Sequence, residues 1–229
     1  MDKDTFFQKN KSLRFRDNLF YIEKPIIMGI INITPDSFYA NSRVQEIDEA
    51  IKKTASMLEN GATIIDLGAA SSRPNSTLIS AEEEIKRLKP FAQTLSKEFP
   101  DVWFSIDTYN SETASMCVEE YGFYMINDIS GYSIDPSMFN TVVHLNVPYV
   151  LMHMQGTPEN MQHKPTYQDV TNEVFQFLGK KKHELTAQGL NDIIIDPGFG
   201  FGKTIEHNYQ LLKHLHDFRS LECPILVGL

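Results

Sequence analysis

Several features that would announce a function are missing from this sequence. It has two cysteines, Cys117 and Cys223, far apart and in no CxxC pair. That excludes a disulfide framework, and both read as buried thiols in a reducing cytoplasm. No Lys/Arg-rich run occurs and the net charge is -9, so a nucleic-acid partner, which needs a basic footprint, is not expected. No apolar run reaches the roughly 18 residues of a membrane span. The opening stretch MDKDTFFQKNKSLRFRD lacks the apolar core of a signal peptide. The seven histidines fall into no H-E-x-x-H or similar spacing, so a zinc site is not expected either. What is present is an ordinary soluble composition, 41% hydrophobic and 22% charged, in 229 residues. That length suits one large domain or two small ones.

The segment DPGFGFGKT (196–204) is rich in glycine and ends in Lys-Thr. A P-loop would need Gly at 197, where this chain has Pro. The glycines at 198, 200 and 202 are evenly spaced, which also excludes the dinucleotide pattern G-x-G-x-x-G. The segment therefore serves some other ligand.

Short apolar runs recur at 25–32, 62–68, 102–107, 123–128, 149–153, 192–196 and 224–229. Each is near-continuously hydrophobic, as strands covered on both faces are. Between them lie six helical patterns. Ser80 with Glu83 predicts a capping box, Pro90 a kink, Ser111 a cap, and Asp135-Pro136 a helix start. Strand alternating with helix implies an α/β fold with a parallel sheet. Polar residues close six of the strands: Asn32, Asp66, Asp107, Asn127, His153 and Asp196. Helix capping explains one or two of these; their convergence on the mouth of a TIM (β/α)8 barrel explains all of them. The segment SLRFRDNLFYIEK alternates around an Asp-Asn turn and predicts a short β-hairpin beneath the barrel. The expected division is a hairpin extension over 1–24 and the barrel over 25–229. Seven strands are visible, so the barrel is expected to be incomplete at its C-terminal end.

Asp107, Asn127 and Asp196 would face one cavity. Carboxylates accept paired hydrogen bonds and Asn both donates and accepts, which suits a flat heterocycle with an amidine-like edge. Carboxylates there also favour positive charge developing on a ligand. Any one of them reads equally well as a satisfied structural carboxylate; three together do so less readily, because each buried charge needs compensation. The loop SSRPNS (71–76) offers hydroxyls and a guanidinium to an anion, or is a solvated loop. Asn32 and Asp36 are hard oxygen donors suited to Mg²⁺ with a phosphate. Met152 could lie on a ring face or belong to the core, and His153 reads more readily as a hydrogen-bonded structural histidine than as a base.

The stretches MGIINITPDSF (28–38), SSRP (71–74), SIDT (105–108), INDISG (126–131), LMHMQGTPENMQ (151–162) and DPGFGFGKT, in that order, resemble the dihydropteroate synthase family. The related corrinoid methyltransferases are not expected to carry both NxTPDSF and DPGFGFGKT. The resemblance implies a barrel that joins 4-aminobenzoate to a 7,8-dihydropterin-CH2 diphosphate in folate synthesis, through a cationic pterin, with Mg²⁺ helping the diphosphate to leave. Asp196 would bind the pterin's amino–amide edge and Asn127 another part of the ring. Asp107 would bind the ring and stabilise the cation, and Met152 would lie against the ring. Asn32 would serve the Mg²⁺-diphosphate, with Ser72 and Arg73 at the diphosphate. Phe38, Ser72, Pro74 and Phe201 would shape the aminobenzoate pocket, which sulfonamides also occupy. The chain departs from the family in having Ser72 for Thr, Asn75 for Gly and Ala40 for an acidic residue. The family also continues past ILVGL with a pterin-contacting lysine, an eighth strand and the last helices of its homodimer interface. A chain stopping at Leu229 is thus expected to be a shortened synthase with little activity; the alternative is a non-catalytic pterin-binding paralogue.

Overall fold

Six parallel strands in sequence order frame the computed structural model, which describes residues 11–33, 40–70 and 76–228. They are β3 (Ile27–Asn32), β4 (Ala62–Gly68), β5 (Trp103–Asp107), β6 (Met125–Asp128), β7 (Tyr149–Met152) and β8 (Ile193–Asp196). The helices between and after them are α1 (Ala40–Glu59), α2 (Ala81–Glu98), α3 (Ser111–Tyr121), α4 (Ser137–Leu145), α5 (Val170–Ala187) and α6 (Ile205–Lys213), with a 3-10 helix at Leu215–Leu221. This is the (β/α) barrel architecture that the alternation predicts. The expected seventh strand is reduced to one parallel bridge, Ile195 to Ile225. There the Ile195 amide donates to Pro224 (3.0 Å) and the Leu226 amide to Ile195 (2.9 Å). Among the described residues no helix is long and apolar enough to cross a membrane.

The near-continuous apolar runs hide a period of two. One set of strand residues, including Ile65, Leu67, Phe104, Ile106, Ile126, Leu151, Ile193 and Ile195, packs outward with Leu88, Leu95, Ala114, Val174 and Leu178 of the helices. The alternate set points inward, and its lower members, Ile64, Trp103, Met125, Val150 and Ile194, form a separate cluster with Leu13. Leu13 belongs to the hairpin of β1 (Ser12–Phe15) and β2 (Asn18–Tyr21), which packs against the bottom of the barrel. Phe15 stacks on Trp103 at 4.7 Å and Phe20 meets it edge-on at 5.6 Å. Both cysteines are buried.

Local signals are displaced by about one residue from their sequence positions. Phe15 pairs with Asn18, so the hairpin turns on Arg16-Asp17 rather than on Asp-Asn, with Arg16 left-handed at φ 54. The α2 capping box is half made: Ser80 Oγ accepts from the Glu83 amide, but the Glu83 carboxylate pairs with Arg87 at 2.9 Å. Helix α2 runs through Pro90 without interruption. Ser111 is the first residue of α3, after an N-cap at Asn110. The Ser111 amide donates to Asp135, which also caps Ser137 of α4.

Candidate active site

Above the apolar layer the inward positions become polar. Strand register sets Asn32 beside Gly68, Gly68 beside Asp107, and Asp107 beside Asn127. Met152 stands beside Asp196. Gly68 is small for a reason: a Cβ there would lie 3.1 Å from Asp107 Oδ2, so its absence leaves that carboxylate its space. One layer lower is Asp66, 2% exposed, which accepts from Asn127 Nδ2 at 2.9 Å. That bond fixes the Asn127 amide and leaves its oxygen as the acceptor side.

These carboxyl groups are poorly compensated. Burial raises the Asp66 pKa, with the Ser105 and Asn127 side chains opposing the shift. Asp66 Oδ1 has no hydrogen-bond partner among the described residues. Asp107 is pushed well above the carboxylate range, first by removal from water and then by the charges of Asp66, Glu84 and Asp128. The charge of Asp66 opposes ionisation of Asp107, so removal from water and repulsion by like charge both favour its protonated form.

Two buried acids shape the neighbouring loops. Glu84 of α2, fully buried, accepts from Thr108 Oγ1 (2.7 Å) and Asn110 Nδ2 (2.9 Å), holding the loop after β5. Asp128 accepts from the Ser130 amide (2.8 Å), the Tyr132 amide (2.6 Å) and the Tyr149 hydroxyl (2.7 Å), fixing the turn after β6. Neither was singled out from sequence. Glu84 sits in a run of three glutamates that reads as a solvated helix start, and Asp128 is masked by its neighbour Asn127.

On the far side, Asp196 is buried and its Oδ1 accepts from the Gly198 amide at 2.7 Å. Burial raises its pKa to about 6, partly offset by that bond and by Lys203. Met152 is 2% exposed and clusters with Tyr109, Ile129 and Phe201. His153 is no base: its Nδ1 is 3.0 Å from Lys203 Nζ, and burial followed by that charge takes its pKa down to about 3. Asn32 ends β3 with its side chain exposed. The structure thus brings Asp107, Asn127, Met152, Asp196 and Phe201 to one mouth, with Asn32 in the same register row. The candidates Phe38, Ser72, Arg73 and Pro74, and the Asp36 donor, lie outside the described residues.

A family model described as pterin binding enzyme matches residues 28–229. The dihydropteroate synthase of Haemophilus influenzae is 41% identical over 207 residues, covering 90% of this chain and 74% of the relative. The chain belongs to the dihydropteroate synthase family. Among solved structures, the Yersinia pestis dihydropteroate synthase with a sulfonamide drug is 38% identical at a TM-score of 0.86, over 95% of this chain and 79% of that one. The Xanthomonas albilineans dihydropteroate synthase with 4-aminobenzoic acid is 35% identical at a TM-score of 0.84, over 96% and 78%.

Proposed function

We propose that this barrel mouth joins 4-aminobenzoate to (7,8-dihydropterin-6-yl)methyl diphosphate, giving 7,8-dihydropteroate and diphosphate. The observation that carries the reading is the convergence of Asp107, Asn127 and Asp196 around the Met152–Phe201 apolar cluster. Asp196 accepts from the pterin's amino–amide N–H pair, and Asn127, with its amide locked by Asp66, meets another ring edge. Met152 supports the ring face. As the C–O bond to diphosphate breaks, positive charge spreads over the methylene and ring. The Asp66–Asp107 pair suits that cation, because a positive charge relieves the repulsion that helps to raise the Asp107 pKa. The aniline nitrogen then forms the N–C bond, and a proton leaves it for water at the mouth. Phe201 is assigned to the aminobenzoate pocket, to which the family resemblance also assigns Phe38, Ser72 and Pro74, with Ser72 and Arg73 at the diphosphate; these four lie outside the described residues.

The donor set fits a Mg²⁺ ion held mainly by its substrate. Asn32 offers one hard oxygen, and no cluster of three or more His, Cys, Asp or Glu that could hold a metal occurs among the described residues. Diphosphate and water would supply the other ligands, as Mg²⁺ usually requires. When bound, the ion neutralises charge developing on the departing diphosphate. We assign the protein to the cytoplasm, on its buried free thiols. For pairing of two copies, α6 offers an exposed stripe of Ile205, Tyr209 and Leu212, which sedimentation of wild type against Tyr209→Glu would test.

The central experiment is titration of the purified chain with the pterin diphosphate and Mg²⁺, then 4-aminobenzoate, with dihydropteroate measured. The acid is expected to bind only after the pterin diphosphate. Absence of pterin binding would refute the reading; pterin binding with neither product nor ordered binding of 4-aminobenzoate would favour a non-catalytic pterin-binding protein.

A further inference from the structure

Lys203 is the part of the glycine-rich segment that the proposed reaction leaves unused, and it is almost completely buried, 3% exposed. Its ammonium lies 2.7 Å from the Gly198 carbonyl, 2.9 Å from that of Phe201, 3.2 Å from that of His153 and 3.0 Å from His153 Nδ1. An ammonium has three N–H donors, so four protein acceptors leave none for a ligand. Lys203 therefore binds neither substrate directly; it ties the loop after β8 to the loop after β7.

The two loops are in backbone contact at that point. Gly198 is left-handed at φ +70, and a Cβ on it would come within 2.0 Å of the His153 carbonyl oxygen; one on Gly202 would lie 2.4 Å from that of Gln155. Other side chains hold the rim: Gln162 donates to the Gly200 carbonyl (2.6 Å) and Tyr167 to that of Gly202 (2.8 Å). The Gly198 amide, whose own carbonyl Lys203 holds, is also the donor that orients Asp196.

We propose that Lys203 is a positioning residue whose buried ammonium locks the Gly198 turn under Asp196 and the Phe201 carbonyl into one frame, registering the aminobenzoate pocket to the pterin pocket. This rests on the function proposed above. Electrostatics agree: Lys203 is the charged group acting on Asp196, and Asp196 the one that keeps Lys203 from falling below a pKa of about 7 after burial. His153, the other titratable group against the ammonium, is neutral.

The test compares wild type with Lys203→Met, which keeps the stem, and Lys203→Arg, which keeps the charge. Amide exchange over residues 198–202 is expected to quicken at least about tenfold in Lys203→Met while β8 stays protected. The acid limb of pterin binding is expected to move to higher pH in Lys203→Met but not in Lys203→Arg, because only the former removes the charge beside Asp196. Aminobenzoate affinity should fall more than pterin affinity in both variants. If Lys203→Met fails to fold, the exchange and affinity contrasts in Lys203→Arg decide. Loop exchange and both affinities within twofold of wild type in every folded variant would overturn the proposal. Wild type that binds no pterin would instead sink the functional reading, and the exchange measurement would still test the tether.

Discussion

The inward side chains of one set of strands do opposite things at the two ends of the barrel. At the bottom, Ile64, Trp103, Met125, Val150 and Ile194 form an apolar layer packed against the hairpin. Two positions further along the same strands come Asp66, Ser105, Asn127, Met152 and Asp196, with an Asp66 oxygen that has no hydrogen-bond partner among the described residues and with raised carboxyl pKa values. The bottom layer gains free energy by removing apolar surface from water. The upper layer gives some of that up: carboxyls taken out of water lower stability, and a ligand's N–H groups or positive charge would complete them.

The largest expected effect comes from breaking the lower layer. Trp103→Ala removes the ring that both hairpin phenylalanines touch and should cost about 3–5 kcal/mol of stability in urea unfolding. In folded protein the pterin site should be left intact. A loss of pterin affinity at temperatures where the variant remains folded would break the division between the layers.

At the upper layer the signs of stability and function should separate. Asp196→Asn removes a carboxylate that would accept two N–H groups, and pterin affinity should fall about 10–100-fold, corresponding to about 1.5–3 kcal/mol for a charged hydrogen bond. The pH dependence carries the same contrast. Because the Asp196 pKa is raised to about 6, pterin affinity should weaken as pH falls through 6, by at most about tenfold per unit. The folded protein holds that proton more tightly than the unfolded chain, whose carboxyl titrates near 3.9. This group's contribution to stability therefore rises as pH falls from about 6 to about 3.9, opposite to its effect on binding. Unfolding and pterin titration across that range would check both directions.

The two layers were not equally legible in the sequence. Strands were, because outward and lower inward positions are both apolar and each run ends where Asp107, Asn127 or Asp196 begins the mouth. The order of strands followed from alternation with helices. Glu84 and Asp128 were not legible, since nothing local separates a buried loop-holding acid from a solvated one; the difference lies in Thr108, Asn110 and Tyr149 reaching them from other elements. Lys203 was hidden for the same reason: its acceptors include His153, fifty residues away. The turn at Arg16-Asp17 slipped by one residue because Asn18 joins the strand pair opposite Phe15, and the α3 start because Asp135, in a loop 24 residues on, takes the Ser111 amide.

The smallest effect is also the one that tests the upper layer most finely. Asp66 sits between the two regimes, just above the apolar layer and bonded to Asn127. In Asp66→Asn the side chain keeps its shape and can still offer an amide oxygen to Asn127, so pterin affinity should change only about two- to fivefold, in line with about 0.5–1 kcal/mol for a weakened hydrogen bond. Stability should rise, because the substitution removes one of two repelling buried carboxyls and lets the Asp107 pKa move down toward the ordinary range. Turnover, where dihydropteroate formation is measured, should fall more than pterin affinity, since the lost charge faces the cation rather than the neutral ring. If affinity and turnover fell by the same factor, Asp66 would act only through the orientation of Asn127, and the charge proposed to meet the cation would rest on Asp107 alone.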